Sequence, residues 1–295
     1  MNFNKKLYSK VLEVCFYVSV GVVAFFMIIP FLWMISVSLK SSGHVTQTLS
    51  ALIPRNITFK PYVDAWVGAH FSRYFLNTVI FTLGSTVFTL FFCALGGYTF
   101  ARLRFPGRNA LFLLILFSMM IPDSARLIPQ FLIIKFFPLA GGNNLLGQGG
   151  IGLIDTYAGL MLPFVVTGFG IFLCRQFFVR LPEELRAAAR IDGCSEFRIF
   201  YQIMLPLAKP AIIALAIFTF TFRWNKLLWP LVVTQSKGMR VLAVGLAIFQ
   251  GEQRTLEQWN VMMAAATIVV LPMVLVFLLL QKHFTKGTSL SGLKE

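Results

Sequence analysis

The sequence predicts an all-α, polytopic membrane protein with six transmembrane helices and one charged helix-turn-helix loop on the cytoplasmic side. Three observations carry that fold class. The 295 residues are 57% hydrophobic, only 13% charged and include 32 phenylalanines, a composition that overshoots what a soluble core uses and suits a bilayer. Six apolar stretches are long enough for about 20 helical residues across the hydrocarbon. Between the fourth and fifth lies a polar run, residues 181–210, with its own helix start and stop signals.

Taken in order, the first span covers 11–38, charged only at Glu13 and preceded by Lys5, Lys6 and Lys10. Its apolar part is too long for a signal-peptide core and no A-x-A pattern follows, so it reads as a retained anchor. Residues 39–73 are polar, contain Pro54 and Pro61, and leave room for a short helix near 62–69. The second span, 74–100, has no charge and ends in a basic turn with Arg102, Arg104 and Arg108. A third begins at Ala110, but Pro122 and Pro129 interrupt it and Asp123, Arg126 and Lys135 enter it. A kink is expected there, with the polar side turned from lipid.

The run GGNNLLGQGG at 141–150 has no Lys-Ser or Lys-Thr at phosphate-loop spacing and reads as a turn or flexible excursion. The fourth span is 156–178 and the fifth 211–233, which contains Arg223, Trp224, Asn225 and Lys226. A polar loop with Glu252, Arg254 and Glu257 leads to the sixth, 261–281. The resulting division is a cytoplasmic N-terminus at 1–10, a six-span domain at 11–283 and a basic cytoplasmic tail at 284–295.

Basic residues in the connections set the orientation. With both termini cytoplasmic, segments 1–10, 101–109, 175–209 and 282–295 hold 15 Lys and Arg in 68 residues. The opposite side, 39–73, 123–155 and 223–260, holds 11 in 106. The denser side belongs inside, which puts the 181–210 loop in the cytoplasm.

Within that loop Pro182 suits a first helical turn, Glu183 and Glu184 favour the positive helix N-terminus, and Gly193 is a natural stop. One helix over 182–192 follows. Ser195 and Glu196 start a second, which Pro206 and Pro210 end. Leu185, Ala188, Ala189 and Asp192 fall on neighbouring faces, with Arg186 and Arg190 as a separate basic pair. The small alanines allow another backbone to approach closely, so the loop reads as a plug for another protein.

Other functions find little support. The net charge of +15 is scattered between apolar runs and forms no aromatic-interleaved patch, which argues against nucleic acid. His44, His70 and His283 are isolated, so no metal site is expected. Cys15, Cys93, Cys174 and Cys194 lie far apart and read as reduced packing residues. Without a G-x-x-x-x-G-K-[ST] run the chain is not expected to hydrolyse ATP, nor to be an enzyme. An ion-coupled secondary carrier needs intramembrane carboxylates, and the second, fourth, fifth and sixth spans contain no Asp or Glu.

A series of residues resembles the carbohydrate-type ABC importer permeases, specifically the second permease of the maltose-transporter type. The series is Pro182, Glu184, Leu185, Ala188-Ala189, Ile191-Asp192-Gly193, Leu205-Pro206 and Pro210, then Trp224-Asn225 and Trp229-Pro230. It extends to Arg73-Tyr74, Asn77-Thr78, the run from Ala101 to Arg108, and Asp155-Thr156-Tyr157. The resemblance implies a sugar importer in a prokaryotic inner membrane, working by alternating access. It implies a second permease subunit, two ATPase subunits that bind the ATP and magnesium, and an extracytoplasmic solute-binding protein. This chain then needs no cofactor of its own, and its cytoplasmic loop is a coupling loop that sits in a cleft of an ATPase subunit.

Two departures from the family pattern matter. Ala187 stands where the family loop usually has Glu, and Cys194 where it has Ala. Glu184, Arg186 and Arg190 are therefore expected to take over electrostatic contact with the ATPase, with Ala188, Ala189 and Gly193 packing closely beside Asp192. The alternative is that these charges are solvated interfacial residues. The second departure is Lys226 after Trp224-Asn225, where an acidic residue is common, with Arg223 before it. Arg223 lies roughly 18 Å above Ala211 at about 1.5 Å per residue. With Arg126 it defines a candidate substrate path of Arg126, Arg223, Trp224, Asn225 and Lys226, and points to an anionic substrate such as a uronate-containing oligosaccharide or a sugar phosphate. Snorkelling to outer head groups, or pairing with a partner protein, stays open as the other reading.

Overall fold

The computed structural model describes residues 2–41, 57–68, 70–252 and 259–289, and every regular element among them is helical. The expected residues Arg254 and Glu257 and the end of the tail lie outside the described residues. Contacts divide the chain into two units, residues 1–71 with 246–271, and residues 72–245 with 272–295.

In the first unit α1 (Asn2–Ser38) carries the apolar run, and α2 (Lys60–Gly68) is the short helix expected in the following loop. Ser38 and Tyr62 share a hydroxyl hydrogen bond of 2.7 Å, and Asn260 Nδ2 donates to the Lys40 carbonyl at 2.8 Å. From Val11 to Leu32 nearly all the large apolar side chains of α1 are exposed, as suits a helix surrounded by lipid or by another apolar surface.

The second unit begins in α3 (Phe71–Arg102), whose 32 residues reach about 48 Å and overspan the hydrocarbon. The expected third span is two helices, α4 (Arg108–Met119) and α5 (Asp123–Lys135), bent by 108°. Pro122 causes the break: it lacks an N–H for the preceding turn and disfavours helical backbone at Ile121. The fourth span is also divided, into α6 (Tyr157–Met161), which continues as a 3-10 turn to Phe164, and α7 (Gly168–Arg180), at 46°. Thr156 and Thr167 cap the two pieces, accepting the N–H of Gly159 at 3.0 Å and of Gly170 at 3.1 Å.

The 181–210 loop contributes α8 (Glu183–Ile191) and α9 (Glu196–Ile199), a π turn at Phe200–Met204 and α10 (Leu205–Leu207). The chain bends by 79° at Ala208 into α11 (Lys209–Trp224). Pro206 and Pro210 flank this bend, so the second loop helix ends between them, before the apolar run, as expected; each proline occupies a first helical turn, where the missing N–H costs nothing. The fifth span also stops earlier than expected, at Trp224, and α12 (Leu228–Val233) is separate. Beyond it come α13 (Leu242–Glu252) and α14 (Trp259–Ser289), which runs past the expected end at residue 281. Among the described residues three helices are long and apolar enough to cross a membrane, and counting each of the three bent pairs as one span brings the number up to the six expected.

The core of the second unit sits where α3, α7 and the loop meet. Cys93, Ala94 and Tyr98 pack with Ile171, Cys174 and Phe178, with Ala189, Ile199, Phe200 and Met204, and with Leu215 of α11. Gly97 permits this: a Cβ there would fall 2.4 Å from Cys174 Cβ and 2.8 Å from the Arg175 nitrogen. Cys93 and Cys174 are buried free thiols in that packing. Of the two readings offered for the glycine-rich loop, the turn is the one found: the run is a series of hydrogen-bonded turns. Asn143 donates to the carbonyls of Lys135 at 2.8 Å and Phe137 at 3.0 Å and accepts from Gly150 N–H at 2.8 Å.

Candidate functional site

On α8 the 3.6-residue repeat turns Arg186 and Ala189 inward and leaves Glu183, Glu184, Leu185, Ala187, Ala188, Arg190 and Ile191 exposed, the two charged ends flanking a small and apolar middle. Ile191 is 87% exposed. Asp192 and Gly193 form the end of the helix. Gly193 has φ 77° and its N–H donates to Arg190 O at 3.0 Å, while Cys194 N–H reaches Ala189 O at 2.9 Å. This is the Schellman pattern, which needs a left-handed residue at the glycine position. Cys194 takes the place of the usual Ala without disturbing it, because that position supplies a backbone N–H.

The expected basic pair is split. Arg186 is 7% exposed and its guanidinium is committed to the chain's own carboxylates: Nη1 to Glu183 Oε1 at 2.7 Å and Nη2 to Glu196 Oε1 at 2.9 Å. Arg190 Nε also reaches Glu196 Oε1, at 2.7 Å, but its side chain remains half exposed. Ala189 is in the core, so Arg186 and Ala189 do not belong to the outward surface as the sequence suggested. The cause is helical phase: 186 and 189 share the stripe that packs on Tyr98 and Ile199.

Further groups join this cluster. The Tyr98 hydroxyl donates to Glu196 Oε2 at 2.8 Å, and Arg102 Nη1 reaches Glu183 Oε2 at 2.5 Å and its Nη2 the Phe178 carbonyl at 2.6 Å. Burial pushes the Glu196 carboxyl up, but bonds from Arg186, Tyr98 and Arg190 outweigh it and hold the group below the usual carboxylate value. Glu183 is likewise below it: burial opposes, and the bonds and charges of Arg186 and Arg102 win. For Arg186 burial lowers the pKa, and the two glutamates raise it by more.

The candidate path residues separate into two groups. Lys226 Nζ meets Asp123 Oδ2 at 2.6 Å, and Arg126 pairs with the other oxygen of the same carboxylate. Arg223 is 7% exposed with its guanidinium carbon 4.1 Å from the Phe164 ring centre, and Lys226 Nζ is 5.7 Å from the same ring. Arg223 Nη2 reaches the Phe164 carbonyl at 3.5 Å, beside the break in the fourth span, while its Nε has no hydrogen-bond partner. Trp224 instead packs away from this group, 3% exposed and stacked on Phe220 at 5.5 Å. Asn225 Nδ2 donates to Thr221 O and to Met273 Sδ, both at 3.0 Å. Trp224 and Asn225 thus stabilise the end of α11.

Asp155 is not among the partners of these cations. It accepts the N–H groups of Gln235 at 2.9 Å and Ser236 at 3.0 Å. Asn77 Nδ2 donates to the carbonyls of Gly238 and Arg240, both at 2.8 Å, and accepts the Tyr157 hydroxyl at 2.6 Å. Thr78 Oγ1 accepts Leu242 N–H at 2.7 Å. The Asn77-Thr78 and Asp155-Thr156-Tyr157 motifs therefore fasten the loop after α12 to α3 and α6. Tyr98, Arg102, Glu183 and Glu196 escaped sequence reasoning as a group; the only signal was that the sole acidic residues of the loop besides Glu184 and Asp192 lie three before and ten after Arg186.

Residues 93–290 match the family model described as binding-protein-dependent transport system inner membrane component. The chain is 34% identical over 284 residues to the arabinooligosaccharides transport system permease protein AraQ of Bacillus subtilis, covering 93% of this chain and 95% of that one. It is 32% identical over 262 residues to the diacetylchitobiose uptake system permease protein NgcG of Streptomyces coelicolor, covering 89% and 82%. Its fold superposes with TM-score 0.79 and 26% identity on a chain of the bacterial ABC transporter involved in import of the acidic polysaccharide alginate, covering 93% of this chain and 97% of that chain. With an outward loop helix, six spans and these similarities over nearly its full length, the chain belongs to the family of binding-protein-dependent transport system inner membrane components.

Proposed function

We propose that this chain is one permease subunit of an ATP-driven oligosaccharide importer of a prokaryotic inner membrane, with both termini cytoplasmic. It would pair with a second permease subunit, two ATPase subunits that bind ATP and magnesium, and an extracytoplasmic solute-binding protein, and cycle by alternating access. The observation that carries this reading is α8: a nine-residue helix that buries Arg186 against the chain's own carboxylates and exposes Leu185, Ala187, Ala188 and Ile191 together with Glu184. Such an exposed set suits close packing against a cleft better than solvent. Contact with the ATPase would rest on Glu184, Leu185, Ala188 and Ile191, with Asp192-Gly193 ending the helix and Arg190 at its edge. The relatives' uptake systems for oligosaccharides support the substrate class.

Within that class the reading leans to an anionic, uronate-type oligosaccharide. Arg126 and Lys226 share one carboxylate, Asp123, and among the described residues Arg223 has no acidic partner in contact, which leaves a net positive cluster beside the break in the fourth span. The similarity to the alginate importer supports the same lean. A neutral oligosaccharide is the second reading, favoured by the higher identity to AraQ.

The complete transporter, reconstituted in proteoliposomes with its binding protein, tests both levels. ATP-dependent uptake of an oligouronate, with slower uptake of an arabino-oligosaccharide of equal length, is expected. Equal uptake of both removes the anionic lean; uptake driven by an ion gradient without ATP removes the importer.

A further inference from the structure

We infer that Tyr98 and Glu196 are positioning residues through which displacement of α8 reaches the second span. The consequence for transport rests on the importer reading above; the lock itself rests on geometry. A nine-residue helix is marginal alone, so what fixes α8 is its tertiary bonding. Glu196 belongs to α9, yet its oxygens collect bonds from two other helices. Oε2 accepts the Tyr98 hydroxyl of α3 at 2.8 Å and Arg186 Nε of α8 at 3.3 Å. Oε1 accepts Arg186 Nη2 at 2.9 Å and Arg190 Nε at 2.7 Å. Arg186 continues to Glu183 at 2.7 Å, and Glu183 to Arg102 at 2.5 Å.

The loop is thereby tied to α3 at two points, Tyr98 and Arg102, one helical turn apart on the same face. A single bond would act as a swivel, whereas two bonds a turn apart transmit both translation and tilt. The Tyr98 ring cannot drift to follow the loop, because it is held edge-on to Phe178 at 5.7 Å and against Phe200 at 5.3 Å. Removal of its hydroxyl leaves that packing in place, so Tyr98→Phe cuts one link without a cavity. The arrangement also explains how the loop works with Ala187 where an acidic residue is usual: the carboxylates that stiffen α8 are the chain's own Glu183 and Glu196, bonded to Arg186 and Arg190, which leaves Leu185, Ala187, Ala188 and Ile191 for packing.

The test uses the reconstituted transporter carrying Tyr98→Phe, Glu196→Gln or both, with uptake and ATP hydrolysis measured together. Substrate carried per ATP is expected to fall at least threefold in Tyr98→Phe while ATP hydrolysis stays within twofold of the unaltered complex. The double variant should be no worse than Glu196→Gln alone, because the two act through one bond. Unchanged stoichiometry in Tyr98→Phe, or losses that multiply, would overturn the lock. A second readout is independent of transport: half-buried Cys194, next to the Gly193 turn, is the natural reporter of loop position. Its labelling by a membrane-impermeant maleimide in inside-out vesicles should quicken at least threefold in Tyr98→Phe. Unchanged labelling overturns the lock even if Glu196→Gln fails to assemble; absence of ATP-driven uptake in the unaltered complex overturns the importer reading and leaves the labelling to decide the lock.

Discussion

Lys226 Nζ lies 2.6 Å from Asp123 Oδ2, joining the residue just past Asn225 to the first residue of α5 across 103 positions of chain. Arg126 takes the other oxygen. One carboxylate thus holds two cations at the point where the third span turns.

Asp123 is the most open member of that group, with 65% of its side chain exposed against 22% for Lys226 and 40% for Arg126. Pairs this open contribute modestly. Asp123→Asn should cost less than about 1 kcal/mol of stability, read as a thermal midpoint shift of a few degrees at most in detergent. Under the anionic reading it also releases two cations and lowers the KM for an oligouronate.

Arg223 is the opposite case: buried, with its Nε unbonded and the Phe164 ring and carbonyl as its contacts. A buried charge so partnered contributes little to folding and is often replaceable by an apolar side chain of similar length. Arg223→Met should keep stability within about 1 kcal/mol while lowering oligouronate uptake about tenfold or more. Loss of fold with uptake retained per folded molecule would assign Arg223 to structure instead.

The two glycine positions separate strain from crowding. Gly193 has open space around its Cβ direction but φ 77°, so Gly193→Ala should cost about 1 kcal/mol through backbone strain alone, local to the loop. At Gly97 a Cβ would meet Cys174 and the Arg175 backbone, so Gly97→Ala forces α3 and α7 apart and should cost about 2 kcal/mol or more. Chemical denaturation of the two variants in one detergent checks the order.

The loop's ion pairs fix its pH response. Glu183 and Glu196 are held below the ordinary glutamate value of 4.5 in the folded chain, so their contribution is fully present above that value and is lost as pH falls through the depressed folded values. Amide exchange of α8 should therefore be flat in protection from pH 7 to about 5 and weaken below the ordinary carboxylate range, relative to α3. Protection that weakens between pH 7 and 6 would contradict the assignment.

Much of this was legible in the chain. Apolar run lengths gave six spans, and Pro182, Gly193 and Ser195 gave the boundaries of α8 and the start of α9, because each acts through local backbone chemistry. Pro122 announced the break in the third span but not its angle, since a proline removes a hydrogen bond without choosing the direction the chain takes next. The inward aim of Arg186 and the burial of Ala189 and Trp224 were not legible. Those depend on which stripe of a helix meets Tyr98 or Phe220, and an amphipathic pattern with small and charged residues on both sides leaves that phase open. Glu196 looked like a helix-starting residue and proved to be the acceptor that three helices share, a role only tertiary distances reveal.

The central claim is that the outward side of α8 packs into an ATPase subunit, and Ala188 tests it most directly because it is exposed and its neighbour Ala189 is not. In the reconstituted complex Ala188→Trp should leave this chain folded and inserted, and should abolish substrate-stimulated ATP hydrolysis together with retention of the ATPase on the membrane. An Ala188→Trp complex that keeps its ATPase and hydrolyses ATP in step with transport, as the unaltered complex does, would contradict the claim.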